Sequence, residues 1–189
     1  MKIGITGTAA TGKSTFASLI KKHMPDFSII ELNDVAAEHD LFSGTDKFGT
    51  KIVMIEKLTT EINKMLKVKE EENIAIVGHL LPELKIRLDA VFVVRASLEE
   101  LINREEKRGY QFEKIKENII SEALDYCGVN STHISEHVYE IESDEEIERA
   151  LKFIGNGIKG KSQLEMSSKP IDKMPELFSL IKGPNKYKL

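Results

Sequence analysis

The stretch that decides the fold lies at the start of the chain and reads Lys2-Ile3-Gly4-Ile5-Thr6-Gly7-Thr8-Ala9-Ala10-Thr11-Gly12-Lys13-Ser14-Thr15. A short apolar strand pattern is followed by the spacing G-x-x-x-x-G-K-S and then by a helical pattern. In that context the N–H groups of the loop and the positive end of the helix dipole hold polyphosphate. The motif therefore predicts a nucleotide-binding phosphate loop over residues 7–15, called the P-loop below.

Two side chains of the P-loop have expected tasks. Lys13 is predicted to reach the β- and γ-phosphates of ATP, and the hydroxyl of Ser14 is predicted to ligate Mg²⁺. Ala9 and Ala10 stand where many nucleotide kinases carry Pro and Gly. Alanine costs about 1 kcal/mol where the backbone needs a positive φ, so we expect either a different local dihedral or a slightly tighter loop.

The composition indicates one globular domain. The chain has 189 residues, of which 41% are hydrophobic and 31% are charged, and it contains a single cysteine, Cys127. One cysteine excludes an internal disulfide and a multi-cysteine zinc site. No signal peptide is recognisable, and no apolar run approaches the roughly 20 residues that span a bilayer. We expect a monomer without membrane association, located in the cytoplasm, or in the nucleus if the cell is eukaryotic.

Strand and helix patterns alternate along residues 1–154. The predicted strands are Lys2 to Thr6, Ser28 to Leu32, Asn73 to Val77, Ala90 to Val94 and Val138 to Ile141. The predicted helices are Lys13 to about Met24, Thr50 to Lys69, a helix capped by Ser97 through Lys107, Gln111 or Phe112 to Tyr126, and Asp144 to Ile154. This alternation predicts an α/β fold of three layers, with a five-stranded parallel sheet covered on both faces.

The carboxyl-terminal part of the chain differs from this core. Residues 155–189 carry a net charge of +4, whereas residues 1–154 sum to −8. The sequence thus predicts a core over residues 1–154 and a basic extension over residues 155–189. The extension either folds back on the core or contacts RNA or an acidic partner.

Candidate catalytic residues follow the predicted strands, because ligands of open parallel sheets bind at the carboxyl ends of the strands. His79 ends the third strand, where it would accept from a metal-bound water if neutral or pair with a phosphate if charged. Arg104 and Arg108 share one helix face and would stabilise a transferring phosphoryl group. Gly109 breaks the helix, so residues 104–112 are predicted to form a lid that excludes water. The alternative is a solvated helix whose arginines pair with its own glutamates.

Asp34 and Arg95 are the candidate acceptor-binding residues. Asp34 follows the second strand, and either anchors an acceptor nucleotide or is a first-turn carboxylate favoured by the helix dipole. Arg95 follows the fourth strand at the same edge of the sheet.

Together these residues resemble the small adenylate-kinase-like P-loop family of the adenylate kinase isoenzyme six type. The resemblance covers residues 1–154 and depends on the P-loop, on Leu32-Asn33-Asp34, on Gly78-His79, on Arg95, on Arg104 to Tyr110 and on Lys114-Ile115-Lys116-Glu117-Asn118-Ile119. It implies the nucleoside-monophosphate-kinase fold, an ATP site at the P-loop and lid, an acceptor site under residues 33–60, and Mg²⁺. It also implies a small-subunit ribosomal protein, and with it pre-rRNA, as partners.

Two departures from the family pattern affect the expected activity. Residues 33–60 contain no arginine, and Met54 stands near the position of a usual aspartate. An acceptor phosphate normally needs a guanidinium clamp, so we expect slow or loosely specific transfer in competition with ATP hydrolysis.

The leading hypothesis is Mg²⁺-dependent transfer of the ATP γ-phosphoryl group to a nucleoside monophosphate, with AMP preferred, accompanied by ATPase activity and linked to maturation of the small ribosomal subunit. One alternative is a nucleotide-gated ribosome assembly factor that acts mainly as an ATPase. The other is a P-loop kinase of a small metabolite.

Overall fold

The central sheet has five parallel strands, in the order β2-β5-β1-β6-β7, in a computed structural model that describes residues 1–158 and 171–182. The strands are β1 Lys2–Thr6, β2 Phe27–Glu31, β3 Phe42–Thr45, β4 Lys51–Val53, β5 Asn73–Val77, β6 Ala90–Val94 and β7 Val138–Ile141. All five predicted strands are confirmed to within one residue. Short apolar runs bounded by polar turns fit strands that are buried on both faces, and β6 is buried at every position.

Eight α-helices are found in the described part of the chain. They are α1 Lys13–His23, α2 Leu32–Glu38, α3 Ile55–Val68, α4 Leu98–Lys107, α5 Phe112–Ala123, α6 Tyr126–Ser131, α7 Asp144–Gly155 and α8 Met174–Lys182. One face of the sheet packs against α1 and α7 through Phe16 and Phe153. The other packs against α2, α3 and α6, with Leu58, Ile62 and Cys127 buried there. The three-layer α/β prediction is therefore confirmed.

Two predicted helices are wrong in extent. The pattern over Thr50 to Lys69 begins as strand β4, which pairs antiparallel with β3, and the helix starts only at Ile55. The carboxylate of Asp46 closes this hairpin by accepting hydrogen bonds from the N–H groups of Phe48 and Thr50, each at 2.8 Å. The second helix, predicted to reach Tyr126, stops at Ala123 because Asp125 adopts a φ of 50° and caps a separate helix, α6.

The carboxyl-terminal helix α8 lies against α4 and α5. Leu177 joins a buried apolar cluster with Leu98 and Ile119, and the Glu176 carboxylate accepts a hydrogen bond at 2.8 Å from the N–H of Leu98 in the first turn of α4. The nearly buried Lys173 ammonium donates to Glu142. Residues 171–182 thus fold back on the core, while the rest of the basic extension beyond residue 158 lies outside the described residues. None of the helices in residues 1–158 and 171–182 has the length and apolar character needed to span a bilayer.

Candidate active site

The P-loop leaves the end of the central strand β1 and enters α1 at Lys13. Because the strands on both sides of β1 run parallel to it, the carboxyl ends of β2, β5 and β6 meet the loop at one edge of the sheet. The loop is seated closely on β6, since a Cβ atom on Gly7 would lie 2.2 Å from the carbonyl oxygen of Val94. Only glycine fits at this position.

The backbone of the P-loop turns through three residues with positive φ. Gly7 and Gly12 have φ values of 138° and 115°, and Ala10 has a φ of 64°. Alanine therefore accepts the left-handed conformation, and the expectation of a different local dihedral at this residue is wrong. The strain of about 1 kcal/mol at Ala10 is tolerated because the surrounding loop fixes the conformation.

Lys13 folds back over its own loop. Its ammonium group donates to the carbonyl oxygens of Gly7 and Thr8 at 3.0 and 2.7 Å. The pKa of Lys13 is lowered to about 8, mainly because burial desolvates the ammonium group; Cys127 and Glu122 oppose this effect, and the positive charge of Arg108 adds to it. The negative charge of a phosphate group in the loop would raise the pKa of this ammonium group again.

Ser14 opens the first turn of α1 and its side chain is exposed. Mg²⁺ takes oxygen ligands and keeps several waters, so an exposed hydroxyl at the helix start fits the ion beside a bound polyphosphate. Among the described residues no group of three or more His, Cys, Asp and Glu side chains could hold a metal ion. The fit therefore depends on Ser14 together with phosphate oxygens and water.

Arg104 reaches from α4 onto the P-loop. One terminal nitrogen of its guanidinium donates to the carbonyl oxygens of Ala10 and Thr11 at 3.2 and 3.3 Å. The other terminal nitrogen lies 3.3 Å from the Glu100 carboxylate one turn earlier on the same helix. Both sequence alternatives are thus partly present, since the arginine has a helical ion pair and also contacts the loop.

Arg108 ends α4 at the turn where Gly109 has a φ of 74°. Its side chain is exposed and forms no hydrogen bond or ion pair with the residues that the structure describes. Its charge nevertheless acts on both Lys13 and Glu105. Arg108 therefore carries a guanidinium close to the P-loop that is available to a phosphate.

Glu105 is a buried carboxyl group between α4 and α5. One oxygen accepts a hydrogen bond at 2.7 Å from the Asn118 amide of α5, and the other has no partner among the described residues. Burial raises the pKa of Glu105 to about 7, although the charges of Arg108 and Lys114 act in the opposite direction. Nothing in the sequence pattern singled out Glu105, because it reads as one of several helix-surface glutamates.

His79 follows β5 and keeps contact with solvent. Desolvation by the surrounding protein, followed by the charges of Lys13 and Lys114, lowers the pKa of His79 to about 4. With this pKa the imidazole is neutral at physiological pH. Of the two roles considered for His79, accepting a hydrogen bond from a water is the one compatible with this protonation state.

Arg95 is not available to an acceptor, and this prediction is wrong. Its guanidinium is 1% exposed, and it donates to Glu122, Asp125 and Glu140 at 2.6, 2.9 and 2.6 Å. A further bond of 2.8 Å reaches the backbone carbonyl of Glu122. The sequence pattern placed Arg95 correctly at the edge of the sheet but not the three carboxylates that enclose it.

Asp34 lies in the first turn of α2 with an exposed side chain, and its charge acts on Glu31 at the end of β2. Desolvation by burial raises the pKa of Glu31, and the neighbouring Asp34 raises it further. The charge of Lys13 acts on the same carboxyl group. Asp34 thus stands beside a second carboxyl group near the P-loop, and its role toward an acceptor stays a prediction.

The β3–β4 hairpin belongs to the predicted acceptor segment and reaches α5. Lys47 near its tip forms an ion pair of 2.8 Å with Glu117 on α5, and both side chains are well exposed. Phe48 lies beneath two ammonium groups, with the nitrogen atoms of Lys47 and Lys114 4.7 and 5.5 Å from its ring centre. The hairpin therefore contacts α5, the helix that follows the predicted lid.

Comparison with known proteins places the chain in a family. A family model described as an AAA domain matches residues 3–125. The chain belongs to this family. The chain is also 31% identical over 168 residues to a protein of Methanosarcina barkeri (strain Fusaro / DSM 804) named "Putative adenylate kinase", with 83% of this chain and 89% of that protein covered. A protein of Methanocaldococcus jannaschii with the same name is 30% identical over 165 residues, with 86% and 89% covered.

Solved structures show the same fold for this AAA domain protein. Deoxyadenosine kinase from M. mycoides with bound dATP is similar with a TM-score of 0.52 and 20% identity, over 85% of this chain and all of that chain. Shikimate kinase from Bacteroides thetaiotaomicron has a TM-score of 0.53 and 17% identity, over 84% and 98% of the two chains. At these identities the likeness is one of fold.

Proposed function

We propose that this protein catalyses Mg²⁺-dependent transfer of the γ-phosphoryl group of ATP to a nucleoside monophosphate, with AMP as the preferred acceptor. The observation that carries the proposal is the contact of Arg104 with the backbone of the P-loop, because it brings a lid guanidinium to the place where the motif holds phosphates. The relatives named as adenylate kinases support the same reaction class.

Each residue has a task in this reaction. The N–H groups of the P-loop and Lys13 bind the phosphates, and Ser14 would hold Mg²⁺, which would supply charge neutralisation when bound. Arg104 and Arg108 stabilise the charge on the transferring group. Neutral His79 accepts a hydrogen bond from a water in the site, and the hairpin with the lid keeps other water out.

We also propose that the protein hydrolyses ATP when no good acceptor is bound. Residues 33–60 contain no arginine, and Lys47 in this segment is already paired with Glu117. Without a guanidinium clamp the acceptor phosphate is held weakly, so water competes for the phosphoryl group. This weak clamp favours a second candidate function, in which the nucleotide cycle gates binding to a small-subunit ribosomal protein and pre-rRNA and hydrolysis resets the cycle.

Parallel assays on the purified chain test both functions. ADP formed from ATP with AMP, CMP, GMP, UMP, deoxyadenosine or shikimate is measured beside phosphate released from ATP alone, each with Mg²⁺ and with EDTA. We expect AMP to give the fastest ADP formation and the Lys13→Ala variant to remove both activities. If neither activity exceeds that of Lys13→Ala, the enzymatic proposal fails. If phosphate release exceeds acceptor phosphorylation throughout and no ribosomal protein or rRNA is retained in a nucleotide-dependent way, the second candidate fails.

A further inference from the structure

A buried chain of hydrogen bonds joins the P-loop to charged groups outside it. The hydroxyl of Thr8 donates at 2.6 Å to one oxygen of the Glu122 carboxylate. The other oxygen accepts at 2.6 Å from the Nε of Arg95. Thr8, Glu122 and Arg95 are 5%, 2% and 2% exposed, so water does not compete for these bonds.

Glu122 is located to act on the loop and not on a substrate. Both of its oxygens are occupied, and its backbone carbonyl accepts a further bond from Arg95. Thr8 is the second residue of the P-loop, and its carbonyl oxygen accepts from Lys13 and from the N–H of Thr11. The Glu122 carboxylate therefore fixes the residue around which the lysine and the next turn of the loop are arranged.

The charges around Arg95 explain why its position is stable. Asp125 and Glu140 both contact its guanidinium, and burial raises the pKa of each carboxyl group. Glu140 accepts another bond at 2.8 Å from the N–H of Ile171 in the carboxyl-terminal segment. The Arg95 guanidinium thus makes four hydrogen bonds to three residues, Glu122, Asp125 and Glu140, and is held away from the P-loop.

We propose that Glu122, anchored by buried Arg95, is a positioning residue that sets the conformation of the P-loop through the hydroxyl of Thr8. This inference rests on the nucleotide site proposed above. A charged acceptor makes a shorter and stronger hydrogen bond than a neutral one. The Thr8 hydroxyl reaches the Glu122 carboxylate only while the loop keeps its conformation. Loss of the hydroxyl frees the loop and also leaves one buried carboxylate oxygen without a partner.

The test compares two substitutions at Thr8. Thr8→Val keeps the shape and removes the donor, whereas Thr8→Ser keeps the donor. Affinities for ATP and for inorganic tripolyphosphate, which contacts the P-loop without a base, are measured by calorimetry on the full chain. We expect Thr8→Val to weaken both ligands at least tenfold and Thr8→Ser to stay within about threefold of the wild type. Ser135→Ala is the control, since Ser135 is a buried hydroxyl that donates to the Asp89 carbonyl at the opposite edge of the sheet.

A second variant tests the role of the carboxylate itself. Glu122→Gln offers a single acceptor oxygen, so it cannot accept from Arg95 and from Thr8 together. The double variant with Thr8→Val should bind ATP with an affinity no lower than that of the single variant with the lower affinity. Wild-type affinity in a folded Thr8→Val protein, or losses that multiply in the double variant, would overturn the inference and leave the proposed function intact. A wild-type chain that binds neither ATP nor tripolyphosphate would overturn both.

Discussion

Nucleotide binding above pH 8 should be coupled to uptake of one proton by Lys13. Burial lowers the pKa of this lysine from 10.5 to about 8 in the empty loop, which corresponds to a cost of about 3 kcal/mol for its charged form. Phosphate oxygens bring negative charge next to the ammonium group, so the pKa of Lys13 returns toward its ordinary value when ATP binds. At pH 9 about 0.9 proton should then be taken up per ATP bound, against about 0.1 proton at pH 7.

The assay is titration calorimetry at pH 9 in two buffers that differ in ionisation enthalpy. The observed heat should differ between them in proportion to the proton uptake, and ATP affinity should fall about tenfold per pH unit between pH 8 and 10. Lys13→Arg is the control, because its guanidinium stays charged and its heat should not depend on the buffer. The same pKa shift affects the protein without nucleotide. Because the charged form of Lys13 is disfavoured in the folded state, the free energy of unfolding should increase between pH 8 and 10.5. A buffer-independent heat for the wild type at pH 9 would refute this reasoning.

Gly7→Ala should lower the free energy of unfolding by more than about 2 kcal/mol and abolish ATP binding, because the added Cβ would meet a carbonyl oxygen at 2.2 Å. Gly157 also has a positive φ but has open space around it. Gly157→Ala should therefore lower the free energy of unfolding by only about 1 kcal/mol in denaturant titrations. Arg104→Ala should lower kcat/KM for ATP roughly 10- to 100-fold, while Lys107→Ala on the same helix should change it less than twofold in steady-state assays. Burial raises the pKa of Glu105 from 4.5 to about 7, so the wild type loses stability as the pH rises through this range and the buried carboxyl group ionises. Glu105→Gln removes this ionisation, so it should raise the melting temperature at pH 8 and not at pH 5.

Each of these expectations has a contrary result. Equal losses of stability in the two glycine variants would remove the argument from the close approach. A matched loss of kcat/KM in Arg104→Ala and Lys107→Ala would assign the effect to helix charge in general. A melting temperature of the glutamine variant that shifts equally at both pH values would exclude titration of the buried carboxyl group.

The sheet was predictable because its signals are local. Each strand of the parallel sheet is a short apolar run, and the loop after β1 carries a motif whose spacing has a mechanical reason. The hairpin was not predictable in the same way, because Ile52 in β4 continues the helical spacing of Ile55 and Leu58. Its strand state depends on pairing with β3 and on the Asp46 turn, which the periodicity does not report.

The site was predictable where one residue type has one task, and not where partners come from distant parts of the chain. Lys13, Ser14 and the lid arginines follow from motif and helix spacing, and their catalytic roles remain predictions. Arg95 contacts carboxylates that follow it by 27, 30 and 45 residues. A guanidinium after a strand looks the same in sequence whether it faces a ligand or a buried cluster.

The ion pair between Lys47 and Glu117 joins the β3–β4 hairpin to α5 by charges that are 70% and 48% exposed. Attraction between solvated charges fades over roughly 10 Å at 0.1 M salt and over roughly 3 Å at 1 M, whereas the buried bonds under the P-loop are screened far less. We therefore expect high ionic strength to weaken this contact between the hairpin and α5 reversibly, while the buried bonds under the P-loop stay formed. Salt titration of a chain labelled on both elements would follow the gap between them without any substitution in the catalytic centre.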